Sequence, residues 1–142
     1  MNEKNTTAAY WALRLALGIV PIVAGLDKFT NLLANWSGYL SPLAVKVLPV
    51  SPEAFMRAAG VVEIVVGAAI LFGFARIFAW VALVWLAAIA LQLVTTGHFL
   101  DIAARDAVMA TAAFALARLS EAVERAPARQ RARTPQASAA RA

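Results

Sequence analysis

The sequence predicts an all-α protein, a four-helix transmembrane bundle with an interfacial outer segment between its first and second helices. Of the 142 residues, 62% are hydrophobic and only 15% are charged, whereas soluble domains are about half apolar and a quarter charged. Four apolar stretches of about twenty residues follow one another, and each can cross a hydrocarbon core about 30 Å thick. This composition excludes an ordinary cytosolic domain, a disordered chain and a partner role with nucleic acid.

The first span is predicted over about residues 8–29, with Arg14 near its start. Its hydrophobic stretch is too long for a cleavable signal peptide, and no small-residue cleavage site follows it. We therefore expect it to remain in the mature protein as a membrane helix.

The other spans are predicted over about residues 53–74, 77–96 and 100–119. Ser51-Pro52-Glu53 begins the second span, because serine caps a helix, proline suits its first turn and glutamate suits its positive end. Arg76 lies in a short connection to the third span, and Thr96-Gly97-His98 interrupts the pattern before the fourth.

The long connection over residues 30–50 is too apolar for a solvated loop. We expect it to lie at the membrane interface, with Trp36 and Tyr39 as aromatic anchors. Its length and its position over the ends of the first two spans predict a lid, with Gly38, Pro42 and Pro49 as hinges.

The stretch 121–142 is predicted to be a basic, disordered tail. It contains five arginines, Arg125, Arg129, Arg131, Arg133 and Arg141. The positive-inside rule then places both termini in the cytoplasm and makes the chain a multi-pass protein. Anionic lipid is a secondary binding partner expected for this tail.

Ionisable and polar residues collect toward the outer side of the spans. The candidate ligand-binding residues are Asp27, Lys28, Trp36, Glu63, Gln92, Arg105 and Asp106. Glu63 lies deepest, near the bilayer midplane, where a charge costs at least about 2.5–3.5 kcal/mol, so it needs a partner. Lys28 or Arg105 is the expected cation, and Arg105 is also spaced to pair with Asp101. A cavity is predicted beneath Trp36 and Tyr39, bounded by Glu63, Asp27 and Arg105.

Small residues accompany these charges. Gly60 and Gly67 share a helix face with Glu63, and Gly18 and Gly25 form a similar stripe on the first span. Glycines let helices approach closely and would bury the acid between them. The charges can therefore be purely structural, or they can line a site for a ligand or proton.

The chain has no cysteine, and His98 is its only histidine. These counts exclude disulfides, iron–sulfur clusters, thiolate chemistry, a haem held between two histidines and a histidine-rich zinc site within one chain. We expect no metal ion and no covalently bound cofactor. The chain is therefore not a self-sufficient redox enzyme, and whether it has any enzymatic role stays open.

Three stretches resemble the DoxX-like family of small bacterial membrane proteins. They are Arg14–Gly18 with Ala24–Phe29, Gly60–Gly67 and Asp101–Asp106, and together the resemblance covers about residues 10–120. It implies four transmembrane helices in the bacterial inner membrane. Some relatives are subunits of thiosulfate:quinone oxidoreductase, and others associate with membrane redox or thiol-stress complexes. A quinone and a membrane or periplasmic redox protein are the partners that the resemblance implies.

Two hypotheses follow. In the first, the protein is a subunit of a membrane redox system that holds a quinone-like or other small ligand in the outer polar cavity. In the second, it is a non-catalytic anchor or scaffold whose charges only lock helices together. A solute or proton conductor is disfavoured, because Arg14 is the one polar group expected in the cytoplasmic half of the spans.

Overall fold

The computed structural model describes residues 3–139, with side chains described for residues 4–125. All regular elements in this range are helical. They are α1 (Glu3–Thr30), a 3₁₀ turn (Trp36–Tyr39), α2 (Pro42–Val47), α3 (Pro52–Phe72), α4 (Ala75–Val94) and α5 (Leu100–Ala139). The predicted all-α bundle of four long helices is confirmed.

Three of the long helices, α1 from Lys4 onward, α3 and α4, are long and apolar enough to cross a membrane. The sequence of α5 carries Asp101, Arg105, Asp106 and Arg118 within its first twenty residues, and these charges set it apart from the other three. The chain is a membrane protein, and the fourth crossing through α5 stays a prediction.

Serine and glycine set the ends of the helices that surround the outer segment. The Ser51 hydroxyl accepts a hydrogen bond from the Ala54 amide at 3.2 Å, and Ser41 caps α2 in the same way through Ala44 at 3.1 Å. α3 ends at Gly73, whose φ of +130° is strained for residues that carry a Cβ. The α3–α4 connection is therefore as short as the sequence predicts.

Glycines bring α1 and α3 into backbone contact. A Cβ atom on Gly25 would lie 2.5 Å from the Gly60 carbonyl oxygen, and one on Gly60 would lie 2.6 Å from the Gly25 carbonyl oxygen. Gly18 and Gly67 meet in the same manner toward the other end of the pair. The prediction that these four glycines lie at helix contacts is confirmed.

The bundle consists of two closely packed pairs, α1 with α3 and α4 with α5, which meet along α1–α5 and α3–α4. Alanines dominate the interior, and Ala79, Ala113 and Ala117 are fully buried beside Leu116 and Ile70. Small side chains let helices approach closely, which favours association in a lipid environment.

Arg14 joins α1 to the end of α3. Its Nε donates to the Ile70 carbonyl at 2.8 Å, and one terminal nitrogen donates to the Leu71 carbonyl at 2.9 Å. The other terminal nitrogen donates to the Tyr10 hydroxyl at 2.7 Å. The last carbonyls of a helix have no partner within it, so Arg14 satisfies groups that lipid would leave unpaired.

The last helix, α5, extends beyond residue 120. The sequence predicts a disordered tail over residues 121–142, whereas α5 continues as a helix to Ala139. Alanine and arginine, which are abundant there, are strong helix formers, whereas Pro127 and Pro135 each remove a backbone donor. Residues 140–142 lie outside the described residues.

Candidate functional site

Lys28 and Glu63 form a buried ion pair between α1 and α3. Lys28 Nζ lies 2.6 Å from Glu63 Oε2, and the two side chains are only 5% and 10% exposed. Glycine packing positions the pair, because a Cβ on Gly60 would touch Lys28 Cβ and one on Gly25 would touch Glu63 Cβ. The prediction that Glu63 has a cationic partner is confirmed, and that partner is Lys28.

Trp36 covers the ion pair from the end of the bundle where α1 ends and α3 begins. The Lys28 ammonium lies 3.7 Å from the centroid of the Trp36 ring, a cation–π contact. The same ammonium contacts Glu63, so it occupies part of the space between Trp36 and Glu63. The sequence predicts a ligand cavity in this space, and the Lys28 side chain lies there.

Asp27 organises the turn that follows α1. Its carboxylate accepts hydrogen bonds from the Leu32 amide at 2.9 Å, the Leu33 amide at 3.0 Å, the Thr30 hydroxyl at 3.1 Å and the Trp36 indole N–H at 2.7 Å. Asn31 lies inside this turn with a φ of +52°. Asp27 therefore holds both the turn and the ring that covers Lys28.

Arg105 and Asp106 form a second ion pair, on α5. Arg105 Nε lies 3.2 Å from Asp106 Oδ1, and the Arg105 side chain is 61% exposed while Asp106 is buried. Arg105 therefore contacts its chain neighbour, and not Asp101 as its spacing suggested.

Gln92 attaches the outer segment to α4. Its side-chain nitrogen donates to the Tyr39 carbonyl at 2.9 Å. The Tyr39 ring packs edge-on against Trp36 and, with centroids 4.8 Å apart, against Phe99. The segment thus rests on α4 and on the loop before α5, as well as on α1 and α3.

The seven predicted residues fall into three groups. Asp27, Lys28, Trp36 and Glu63 form one continuous chain of contacts, Gln92 joins it through Tyr39, and Arg105 pairs with Asp106. The sequence pattern does not single out Phe99, which carries no polar group, and it does not reveal the role of Arg14. Among residues 4–125, no three acidic or histidine side chains lie close enough together to hold a metal ion.

The chain matches the model of a known protein family. The model of the DoxX family matches residues 9–98, which is well over half of the chain. The match includes α1 from residue 9 onward, the outer segment, α3 and α4, and it ends before the Asp101–Asp106 stretch. Neither the curated proteins nor the solved structures gave a similar protein.

Proposed function

Because this chain belongs to the DoxX family of membrane proteins, we propose that it is a non-catalytic membrane subunit, an anchor or scaffold of the bacterial inner membrane. Its buried charges then fix the helices relative to one another. A single observation carries this proposal, namely that Lys28 is enclosed between Glu63 and Trp36.

The contacts of this cluster support a structural role. Asp27 already accepts hydrogen bonds from four donors, and the Lys28 ammonium contacts a carboxylate and an aromatic face. A ligand that sought these groups would have to displace protein contacts in a region of low dielectric, where polar interactions are strong. The geometry therefore favours a role in which these charges hold the helices together over a role in which they bind a substrate.

Any redox chemistry in which this protein takes part would come from a partner protein. The chain has no cysteine, and its single histidine, His98, lies exposed in the loop before α5. A membrane or periplasmic redox protein is the partner class that fits this role. The contribution of this chain is then to place that protein at the membrane.

The test compares the wild-type protein with a Lys28→Met/Glu63→Leu variant, which replaces the ion pair by apolar side chains. Such replacements in protein interiors are often neutral or stabilising. We expect the variant to fold, to migrate in the same membrane complex on native electrophoresis, and to carry no less quinone than the wild type. A stoichiometric quinone that the wild type retains and the folded variant loses would overturn the proposal.

A second candidate function is the binding of a quinone-like ligand. It is favoured by the way Trp36 covers Lys28, because the ring belongs to a short 3₁₀ turn and its indole makes one hydrogen bond, to Asp27. Displacement of this turn would uncover an ammonium and a carboxylate able to orient a carbonyl. Trp36→Ala is the discriminating variant, since it should change quinone affinity if the site is a ligand site and leave it unchanged otherwise.

A further inference from the structure

A cluster of arginines lies at the opposite end of the bundle from Lys28 and Glu63. Arg76, in the first turn of α4, contacts Glu124 at 3.4 Å and Glu121 at 3.9 Å on α5. Arg118 and Arg125 also contact Glu121, at 3.2 and 4.0 Å. Arg76, Arg118 and Arg125 are called the arginine cluster below, and they outnumber the two carboxylates they contact.

The geometry of the arginine cluster leaves its guanidinium groups available. Their side chains are 47%, 59% and 65% exposed, whereas Glu121 beneath them is 15% exposed. Each guanidinium carries five N–H donors in a planar fork, and one shared carboxylate cannot accept them all. The surface of this end is therefore positive and rich in hydrogen-bond donors.

The surrounding charges increase this positive character. The N-terminal turn of α4 has no acidic residue and no side-chain cap, so the positive end of its dipole adds to the arginines. Beyond Glu124 the sequence contains no further acidic residue and four more arginines after Arg125. An anion that approaches this end meets a net positive field.

Apolar side chains flank the arginine cluster. Phe72, Phe74 and Ile77 lie at the α3–α4 connection and are 82%, 60% and 63% exposed. A cleft of about 390 Å³ lies there, lined by Gly73, Phe74, Arg76, Ile77 and Glu124. This end of a membrane helix pair therefore presents exposed apolar rings directly beside guanidinium groups.

We propose that the arginine cluster binds the headgroup phosphate of an anionic phospholipid, such as phosphatidylglycerol, while its acyl chains lie on Phe72 and Phe74. Three features match this ligand: the excess of guanidinium groups, the adjacent apolar side chains, and the position where α3 ends and α4 begins at the membrane boundary. The planar guanidinium group of arginine can donate two hydrogen bonds to phosphate oxygens. The surplus positive charge attracts a headgroup with a net negative charge, whereas a zwitterionic headgroup has no net charge and is attracted less. The site lies far from the proposed scaffold cluster and does not depend on it.

The experiment titrates the full-length protein in detergent with phosphatidylglycerol, phosphatidylcholine or inorganic phosphate, and counts bound molecules by native mass spectrometry. We expect phosphatidylglycerol to bind more tightly than phosphatidylcholine, and free phosphate not to displace it. Arg76→Gln/Arg118→Gln should weaken phosphatidylglycerol binding, by about fivefold for each charge removed. Arg57→Gln, at an exposed arginine near the other end of α3, is the control and should change nothing.

A gain-of-binding variant gives independent information. Glu121→Gln removes the carboxylate that competes for all three arginines, so phosphatidylglycerol should bind more tightly to it. Circular dichroism tests whether each variant folds. If Arg76→Gln/Arg118→Gln does not fold, the affinity of Glu121→Gln for phosphatidylglycerol decides whether the proposal stands. Equal affinity for the two lipids, displacement by free phosphate, or no response to Glu121→Gln would overturn the proposal.

Discussion

Lys28 and Glu63 lie on either side of the contact between Gly25 and Gly60. The Lys28 stem packs on Gly60, and the Glu63 stem packs on Gly25. The helices run antiparallel, so the long lysine side chain reaches across the glycine contact to meet the carboxylate at 2.6 Å. The close approach of the two backbones and the ion pair therefore depend on each other. A substitution that disturbs the glycine contact should also weaken the ion pair, and the reverse should hold.

Gly60→Ala should separate α1 from α3. The added methyl would lie 2.6 Å from the Gly25 carbonyl oxygen, and overpacking of this kind typically costs about 1–3 kcal/mol. The decrease in the free energy of unfolding is measured by titration with sodium dodecyl sulfate, with circular dichroism as the signal. Gly38→Ala is the matched control, because its nearest neighbour would lie at an ordinary 3.8 Å. Equal stability of the two variants would contradict the packing argument.

Glu63→Gln should destabilise the protein far more than an exposed glutamate change. It leaves the Lys28 ammonium buried without its carboxylate, and breaking a buried ion pair from one side typically costs about 3–5 kcal/mol. The same detergent titration measures the effect, with Glu53→Gln in the exposed first turn of α3 as the control. A Glu63→Gln variant as stable as the wild type would show that the pair contributes little.

Trp36→Phe should loosen the outer segment while it keeps an aromatic face near Lys28. Phenylalanine has no indole N–H, so the 2.7 Å hydrogen bond to Asp27 is lost. Amide hydrogen exchange over residues 31–40 should become severalfold faster, with little change in α3 or α4. Trp11→Phe, at an exposed tryptophan on the other half of α1, provides the comparison. Unchanged exchange over residues 31–40 would mean that other contacts hold the segment.

Cysteine labelling should reveal whether α5 crosses the membrane. The natural chain has no cysteine, so single cysteines report without interference. Leu43→Cys, at an exposed position on α2, should react with an impermeant maleimide from the periplasmic side. A cysteine appended after Ala142 should react only once the cytoplasmic side is opened. Labelling of both from the same side would mean that the chain crosses three times.

Hydropathy and residue spacing correctly predicted the features of this structure that depend on the sequence of a single helix. The four glycine positions and the need of Glu63 for a cation follow from helical periodicity and from the cost of a bare charge in lipid. The choice of Lys28 over Arg105 did not follow, because it depends on how two helices cross.

The role of Asp27 was hidden for a related reason. Its hydrogen bonds depend on the turn through Asn31, whose positive φ brings the next amides back toward the carboxylate. Arg14 was equally hard to assign, since its acceptors are carbonyls more than fifty residues away along the chain. Contacts between a side chain and a distant backbone leave no periodic signal in a sequence.

The two polar attachments between α1 and α3 also bear on how the protein enters the membrane. α1 is synthesised before α3. Until α3 has been made, Arg14 lacks the carbonyls of Ile70 and Leu71, and Lys28 lacks the Glu63 carboxylate. A lone α1 would carry two uncompensated cations into lipid, which is costly. We therefore expect α1 to remain beside the insertion machinery until α3 emerges, so that the two helices leave it together as a hairpin.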